Sequence, residues 1–489
     1  MVQDDGPVVF SGAPSVNGLA PGGPMCPDVA IVVSHGFAAR MVLHSDLLAE
    51  ARALGLTTAV ISPDVTDTSL ARLAAHSDTR LVVAPSATRT SMLHGEWRPY
   101  LFEDVRTNPA LWAKHLRASE GGTPKLRAQA RLRLGVNRLV RAAPALQGAF
   151  DFLDRSWAAS PAAVTLLREL RPRMLVSTYP VNPMETSLLL AAQTLAIPTV
   201  GHLLSWDNLT TKGRFTAIPE RWVAWGPVMV EELQRLYGVA PADAIAVGVP
   251  HFDAHIRQVT AGRGHHVVAD LGLDPGAPLL FFGMSAPIFC PQEIDLVEWL
   301  VSELRRDAFG PATQLVIRPH PQNVQGNMAD LSWLPRLQAL AGPRVAIDIP
   351  KLETSSLLWN LDPADLERMA NLIGASSVTL NSGSTLCIDA IVQDRPVVMT
   401  PFDPTPGLPW WKSARRIETY PHLARLLAMG GVTVARSLDD LGQAIRADLA
   451  EPGRLSEGRA RVRREELFAA DGFAARRAAA AWASLLGAS

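Results

Sequence analysis

The chain has 489 residues, too many for one hydrophobic core, so two domains of roughly 200–250 residues each are expected. Apolar residues make up 48 % and charged residues 19 %, which excludes a disordered chain, and a formal net charge of −1 removes the electrostatic case for nucleic-acid binding. Cys26, Cys290 and Cys387 lie far apart, without CxxC or Cys/His zinc spacing. A reducing cytoplasm is the expected location, with the inner face of a membrane as the alternative. The opening MVQDDGPVVF has no basic region of a secretory signal, and no apolar run reaches the ~18 residues of a membrane span.

Residues 1–27, rich in Gly, Pro and Ser, read as a tail. A first domain is predicted over 28–260. Val29–Val33 is a short apolar run ending in Ser34-His35-Gly36, a helix follows from about Ser45 to Leu54, and Thr57–Ile61 and Arg80–Val83 are further strands. Residues 105–160 are Arg-, Leu- and Ala-rich and read as helices. Their basic face is either simply solvated or a contact surface for an anionic acceptor or a membrane headgroup layer. Strands resume at Met174–Ser177, Pro198–Gly201, residues 221–226 and Ala244–Val247, with helices between. A hinge is expected near 255–275, where Gly262, Gly264, Gly272, Pro275 and Gly276 cluster. A second domain over 265–454 repeats the pattern with strands at Leu279–Gly283, Gln314–Ile317, Val345–Ile347, Val378–Leu380 and Val397–Met399. Amphipathic helices are expected over 455–489. Short buried strands alternating with helices mean parallel sheets covered on both faces, here two facing Rossmann-like domains of α/β class. Neither GxGxxG nor a Walker GxxxxGK[ST] is present.

Ligands of open α/β sheets bind beyond the carboxyl ends of the strands, and four polar clusters stand there. Arg318-Pro319-His320-Pro321 suits a phosphate, Arg318 gripping two oxygens and His320 donating; a rigid turn is the plain alternative. Asn381-Ser382-Gly383-Ser384-Thr385 precedes an apolar helix. It could cradle an anion on backbone N–H groups, with Asp389 on the same face as Ser382 and Thr385 to accept from ribose or sugar hydroxyls; an ordinary cap is the alternative. Ser205-Trp206-Asp207-Asn208, running on to Lys212-Gly213, offers Asp207 as a base, with Trp206, Asn208 and Lys212 on the acceptor side; an Asx-type turn is the alternative. Ser34-His35-Gly36 offers His35 as the other base or as a structural or surface histidine, and Gly283-Met284-Ser285 offers backbone N–H groups to the donor or an ordinary βα turn. Trp410-Trp411-Lys412 either wall the acceptor cleft or pack as a lid.

Taken in order, "WDNLTTKG", "GVPHFD", "RPHP" and "NSGSTLCIDA" resemble the CDP-glycerol glycerophosphotransferase-like and capsular-polysaccharide glycosyltransferase families, and more distantly the UDP-N-acetylglucosamine 2-epimerases. The resemblance covers roughly residues 200–400. It implies the GT-B fold, with the nucleotide donor on the second domain and the acceptor on the first. Arg318 and His320 match the donor-phosphate motif, Ser382, Ser384, Thr385 and Asp389 the serine-rich helix start and following acid, and residues 247–253 the segment at the domain boundary. Asp207 stands where the glycerophosphotransferases carry their catalytic His in a W-H-G-T-P-like segment, a departure that favours Asp207 as base. The expected activity is metal-independent transfer, with no resident cofactor, of a sugar from a UDP-, CDP- or CMP-type donor to a glycan or lipid-linked acceptor in surface-polysaccharide synthesis. CDP-polyol phosphate transfer and a non-catalytic glycan-binding module are the alternatives.

Overall fold

A computed structural model describes residues 26–487 except 67, 77, 88, 144, 261–263, 325–329, 353–356 and 358–359. The expected tail thus lies outside the described residues up to position 25. The first sheet holds β1 (Val29–Val32), β2 (Thr58–Ser62), β3 (Arg80–Val83), β4 (Met174–Ser177), β5 (Thr199–His202), β6 (Arg221–Ala224) and β7 (Ala244–Ala246). Its spatial order is β3-β2-β1-β4-β5-β6-β7, with parallel pairing throughout. The second sheet holds β8 (Leu279–Gly283), β9 (Gln314–Arg318), β10 (Val345–Ile347), β11 (Val378–Asn381), β12 (Val397–Met399) and β13 (Thr433–Val434), in the order β10-β9-β8-β11-β12-β13, again parallel.

The central strands are buried along their whole length because helices cover both faces, which is why they read as unbroken apolar runs. Each sheet reverses its strand order once, between β1 and β4 and between β8 and β11. Loops leaving those strands diverge in opposite directions and leave a crevice at each reversal.

Five helices are inserted between β3 and β4: Arg89–Phe102, Pro109–Glu120, Pro124–Ala142, Ala145–Ala158 and Pro161–Leu170. Three of them begin with an N-cap followed by proline. Asn108, Thr123 and Ser160 each accept first-turn N–H groups ahead of Pro109, Pro124 and Pro161.

The Gly-rich stretch expected to be a hinge is largely helical instead, as Asp253–Thr260 and Gly264–Asp270, and both helices pack on the second-domain helix Pro363–Ala375. Gly264 serves close approach: a Cβ there would sit 2.9 Å from the Asn371 carbonyl oxygen. Gly36 likewise opens a helix, Gly36–Val42, rather than a loop.

The final helix, Ala474–Gly487, returns to the first domain. Ala475, Ala478 and Trp482 join the core formed by Val29, Ile31 and Val176. Trp482 is fully buried; covering its ~200 Å² is worth about 5 kcal/mol before entropy is counted. A second apolar cluster runs across the domain boundary, joining Trp225 and Phe252 to Ile391 and Leu426. Among the described residues no helix is long and apolar enough to cross a membrane.

Candidate functional site

On the first domain, the reversal between β1 and β4 is bridged by Glu185, the third residue of the helix Pro183–Thr194. Its buried carboxylate collects Ser177 Oγ at 2.7 Å, Thr178 N at 2.9 Å and Tyr179 N at 2.7 Å, all at the end of β4. From the end of β1 it collects Ser34 Oγ at 2.5 Å. Burial raises the Glu185 pKa, and these four donors oppose that rise.

The Ser34 proton is used on Glu185, so the hydroxyl oxygen accepts from His35 Nδ1, 3.2 Å away. That fixes the proton of the neutral ring on Nδ1 and leaves Nε2 as a bare acceptor. Burial, followed by the positive charge of Lys212, pulls the His35 pKa down to about 4. The half-buried ring stacks on Tyr179 at 5.1 Å and 25°.

Beyond β5, Asp207 Oδ2 lies 3.1 Å from Lys212 Nζ and 2.8 Å from Thr211 Oγ1. Burial pushes the Asp207 carboxyl up, but Lys212 and His422 outweigh it and hold the pKa well below the carboxylate range. Lys212 is pushed up in turn by Asp207. Trp206 and Asn208, expected on the acceptor side, are buried instead. Trp206 packs edge-on to His422 of the second domain at 4.9 Å, and Asn208 Nδ2 donates to Asp207 Oδ1 at 3.3 Å. Lys212 alone of the three keeps solvent access, its side chain 38 % exposed. Asn108 of the inserted helices donates to the Thr210 carbonyl at 2.8 Å and ties this loop down. The loop also walls a cavity of about 640 Å³ that is shared with Glu103, Asp104, Arg214, Arg235 and Pro421.

The second domain repeats the bridge. Glu293, at the start of the helix Glu293–Arg305, accepts Ser285 N at 2.7 Å beyond β8 and pairs with Ser382 Oγ beyond β11. Burial drives its pKa up to about 8 against these hydrogen bonds, so it is mostly protonated at neutral pH.

Ser382 therefore faces inward and not toward a ligand. The Gly383 and Ser384 amides, expected to cradle an anion, are taken by Asn381 Oδ1 at 2.9 and 2.7 Å, and Asn381 Nδ2 donates to the Gly283 carbonyl at 2.6 Å. Gly383 has φ +109°, and a Cβ there would meet Ile417 Cγ2 at 2.6 Å. Thr385 and Ser384 remain partly exposed beside it.

Arg318 also turns inward. Its guanidinium is buried between Asp348 and Asp365, and Asp348 takes a further bond from Arg368 Nε at 2.7 Å. Two carboxylates hold it in place, so it does not extend to a phosphate in this arrangement. Asp389, expected to accept from a sugar hydroxyl, instead accepts from Arg40 Nη2 of the first domain at 2.7 Å and lies 3.1 Å from His255 Nε2. Burial raises its pKa, but Arg40 and His255 overcome that and hold the carboxyl far below its usual range, so it works as a lock between the domains.

His320 is different. Its Nδ1 accepts the Gln322 N–H at 3.1 Å, so in the neutral ring Nε2 carries the proton. Burial pulls its pKa down to about 4. Close by, Gln322 Oε1 and Asn323 Oδ1 are buried without a partner among the described residues. Such atoms cost roughly 1–3 kcal/mol each when left unmade, and a polar ligand would satisfy them.

Sequence reasoning missed Tyr179, Glu185 and Glu293, and gave Ser34 no role of its own. For Glu185 the available signal was a single acid at the head of an otherwise apolar helix, in "PMETSLLLAA"; "PQEIDLVEWL" holds Asp295 and Glu298 besides Glu293, so no such signal marked Glu293. It also missed Arg416, fully buried, which donates to the carbonyls of Ile288 at 2.9 Å, Phe289 at 3.2 Å and Ser413 at 2.6 Å. Arg416 thereby braces the loop after β8 against the segment packed on Gly383.

Compared with known proteins, no family model matches the chain. A kynureninase of Stenotrophomonas maltophilia (strain K279a) is 24 % identical over 308 residues, covering 58 % of this chain and 70 % of that protein, a likeness too low to show a family. Among solved structures, a putative UDP-N-acetylglucosamine 2-epimerase from Listeria monocytogenes superposes with a TM-score of 0.54 at 12 % identity, covering 94 % of this chain and 97 % of the other. The UDP-GlcNAc 2-epimerase from Neisseria meningitidis bound to UDP-GlcNAc gives 0.54 at 10 % identity, covering 94 % and 100 %. The S. aureus MnaA–UDP co-structure gives 0.53 at 10 % identity, covering 91 % and 93 %. At such identities the likeness establishes architecture alone, and with the two parallel sheets it shows that this chain has the GT-B fold, two facing Rossmann-like domains.

Proposed function

We propose that the chain is a glycosyltransferase that moves a sugar from a nucleotide-activated donor of UDP, CDP or CMP type to a glycan or lipid-linked acceptor in surface-polysaccharide synthesis, without a metal. The observation that carries this reading is the Glu185–Ser34–His35 chain, which leaves His35 Nε2 as a bare acceptor on a half-buried ring at the crevice of the first domain. A neutral imidazole in a fixed tautomer is the arrangement a general base needs. His35 Nε2 takes the proton of an acceptor hydroxyl, the oxygen attacks the anomeric carbon, and the carbon–oxygen bond to phosphate breaks with its electron pair leaving on the nucleotide.

His320 Nε2–H donates to that departing phosphate. The Gln322 and Asn323 oxygens, unpartnered among the described residues, support a polar ligand beside His320. The neighbours solved with UDP-GlcNAc and with UDP support a nucleotide-sugar as the donor class. Asp207, expected as the base, is a weaker one because Lys212 holds its pKa low. In this reading the pair positions the acceptor, and the 640 Å³ cavity beside it takes the acceptor's outer part.

A thermal-shift panel of UDP, CDP, CMP and GDP compounds, followed by product mass, tests the proposal. A hexose or amino-sugar increment supports it. A glycerol-phosphate increment moves the chain to polyol-phosphate transfer, and the absence of both shift and product leaves a binding module.

A further inference from the structure

The chain as a whole carries a net charge of −1, yet residues 124–158 hold seven Lys or Arg against two Asp. The helix Pro124–Ala142 has six cations and no acid. One of the two acids, Asp154, is buried against Arg98 at 2.7 Å. Arg133 is paired with Glu96, but Arg131 and Arg138 are exposed and have no ion pair among the described residues.

The same surface is apolar. Of the fifteen large hydrophobic side chains exposed among the described residues, seven lie between 126 and 157. Leu132 is 59 % exposed and Leu139 65 %, two turns apart on one face of the helix, each directly preceded by an unpaired arginine. The helix packs on Arg89–Phe102 and Pro109–Glu120, and Leu132 and Leu139 stand exposed outside those contacts. Asn137 fixes the rotation of the helix by donating to the Tyr100 and Glu103 carbonyls at 2.6 and 2.7 Å.

We infer that this face of the helix Pro124–Ala142 is a docking surface for an anionic lipid bilayer. The helix Pro124–Ala142 lies in the headgroup plane, Arg131 and Arg138 on lipid phosphates and Leu132 and Leu139 in the acyl boundary. Alternating Leu and Arg is the composition of a helix lying in an interface, and the absence of acids from this helix selects an anionic one over a neutral one. An acidic protein partner would match the arginines but would leave Leu132 and Leu139 without a reason. The inference does not depend on the proposed chemistry, since none of these side chains lies at the strand ends.

The test is co-sedimentation of the full chain with vesicles of phosphatidylcholine alone or mixed with phosphatidylglycerol. The wild type is expected to pellet with the mixed vesicles only, and added salt should weaken binding. Arg131→Gln/Arg138→Gln should weaken it about thirty-fold, from ~1 kcal/mol per basic side chain at the surface. Leu132→Ser/Leu139→Ser should abolish it, with melting temperatures within a few degrees of the wild type because all four side chains are exposed. The inference is overturned if the wild type stays in solution with mixed vesicles at low salt, or if both variants pellet as it does. It is equally overturned if sedimentation velocity without vesicles shows a dimer that Leu139→Ser dissolves, since a second copy then covers the face.

Discussion

Glu293→Gln probes the buried bridge of the second domain. Glutamine is the isostere of the protonated acid: one oxygen still accepts Ser285 N, and the amide donates to Ser382 Oγ, which can pass its own proton to Thr400 Oγ1 at 3.1 Å. An ordinary glutamate ionises near 4.5 and Glu293 near 8. Between those values the unfolded chain has released the proton and the folded chain still binds it, so stability falls as pH rises through the interval and levels off above it. At ~1.36 kcal/mol per pH unit, the wild type loses on the order of 4 kcal/mol relative to the Gln variant between about pH 5 and 8. For a domain of this size that is roughly 10 °C in melting temperature. Thermal unfolding of both proteins across that range, read as the difference between them, isolates Glu293 from every other titrating group. The variant should match the wild type at pH 5 and exceed it progressively toward pH 8. Parallel profiles, or a variant less stable at every pH, would show that Glu293 is ionised in the fold and that the protonated bridge is wrong.

Further outcomes follow from the same geometry. With His35 as base, kcat/KM should rise with pH through about 4 and stay flat across neutrality; an acid limb near 6.5 would mean an unburied or differently paired histidine. His35→Gln should lower kcat by ~10²–10⁴-fold with donor affinity unchanged in a nucleotide thermal shift. Arg318→Met leaves Asp365 without its guanidinium and should destabilise by about 3–5 kcal/mol in chemical denaturation, with Asp365→Leu added to it restoring part; a loss below ~1 kcal/mol would return Arg318 to ligand binding. Turnover should survive EDTA, and a rate restored only by a divalent cation would sink the metal-free mechanism.

The two alternating series of strands were legible because parallel strands covered on both faces must be apolar throughout, and Val29–Val32 and Leu279–Gly283 are. The placement of Arg318, His320 and Ser382 at strand ends was legible for the same reason. The direction in which each side chain turns was not. Arg318 turns inward because of Asp348 and Asp365, 30 and 47 residues away, and no local pattern announces such partners. Asp389 was read as a sugar ligand from its helical spacing, but Arg40, 349 residues upstream, claims it. The 255–275 stretch misled differently: its glycines permit contact, as Gly264 against Asn371 shows, and contact looks like looseness when only composition is seen.

The return of the helix Ala474–Gly487 to the first domain has consequences for how the molecule is made and moves. Trp482 follows every strand of the second sheet in the chain, so the first domain's core lacks a central side chain until the second domain has been synthesised. The amino-terminal half must wait for its neighbour to leave the ribosome before its hydrophobic interior closes. Once closed, the backbone passes between the halves at two places, so any opening is a rocking motion about a line through both crossings and not a free swivel.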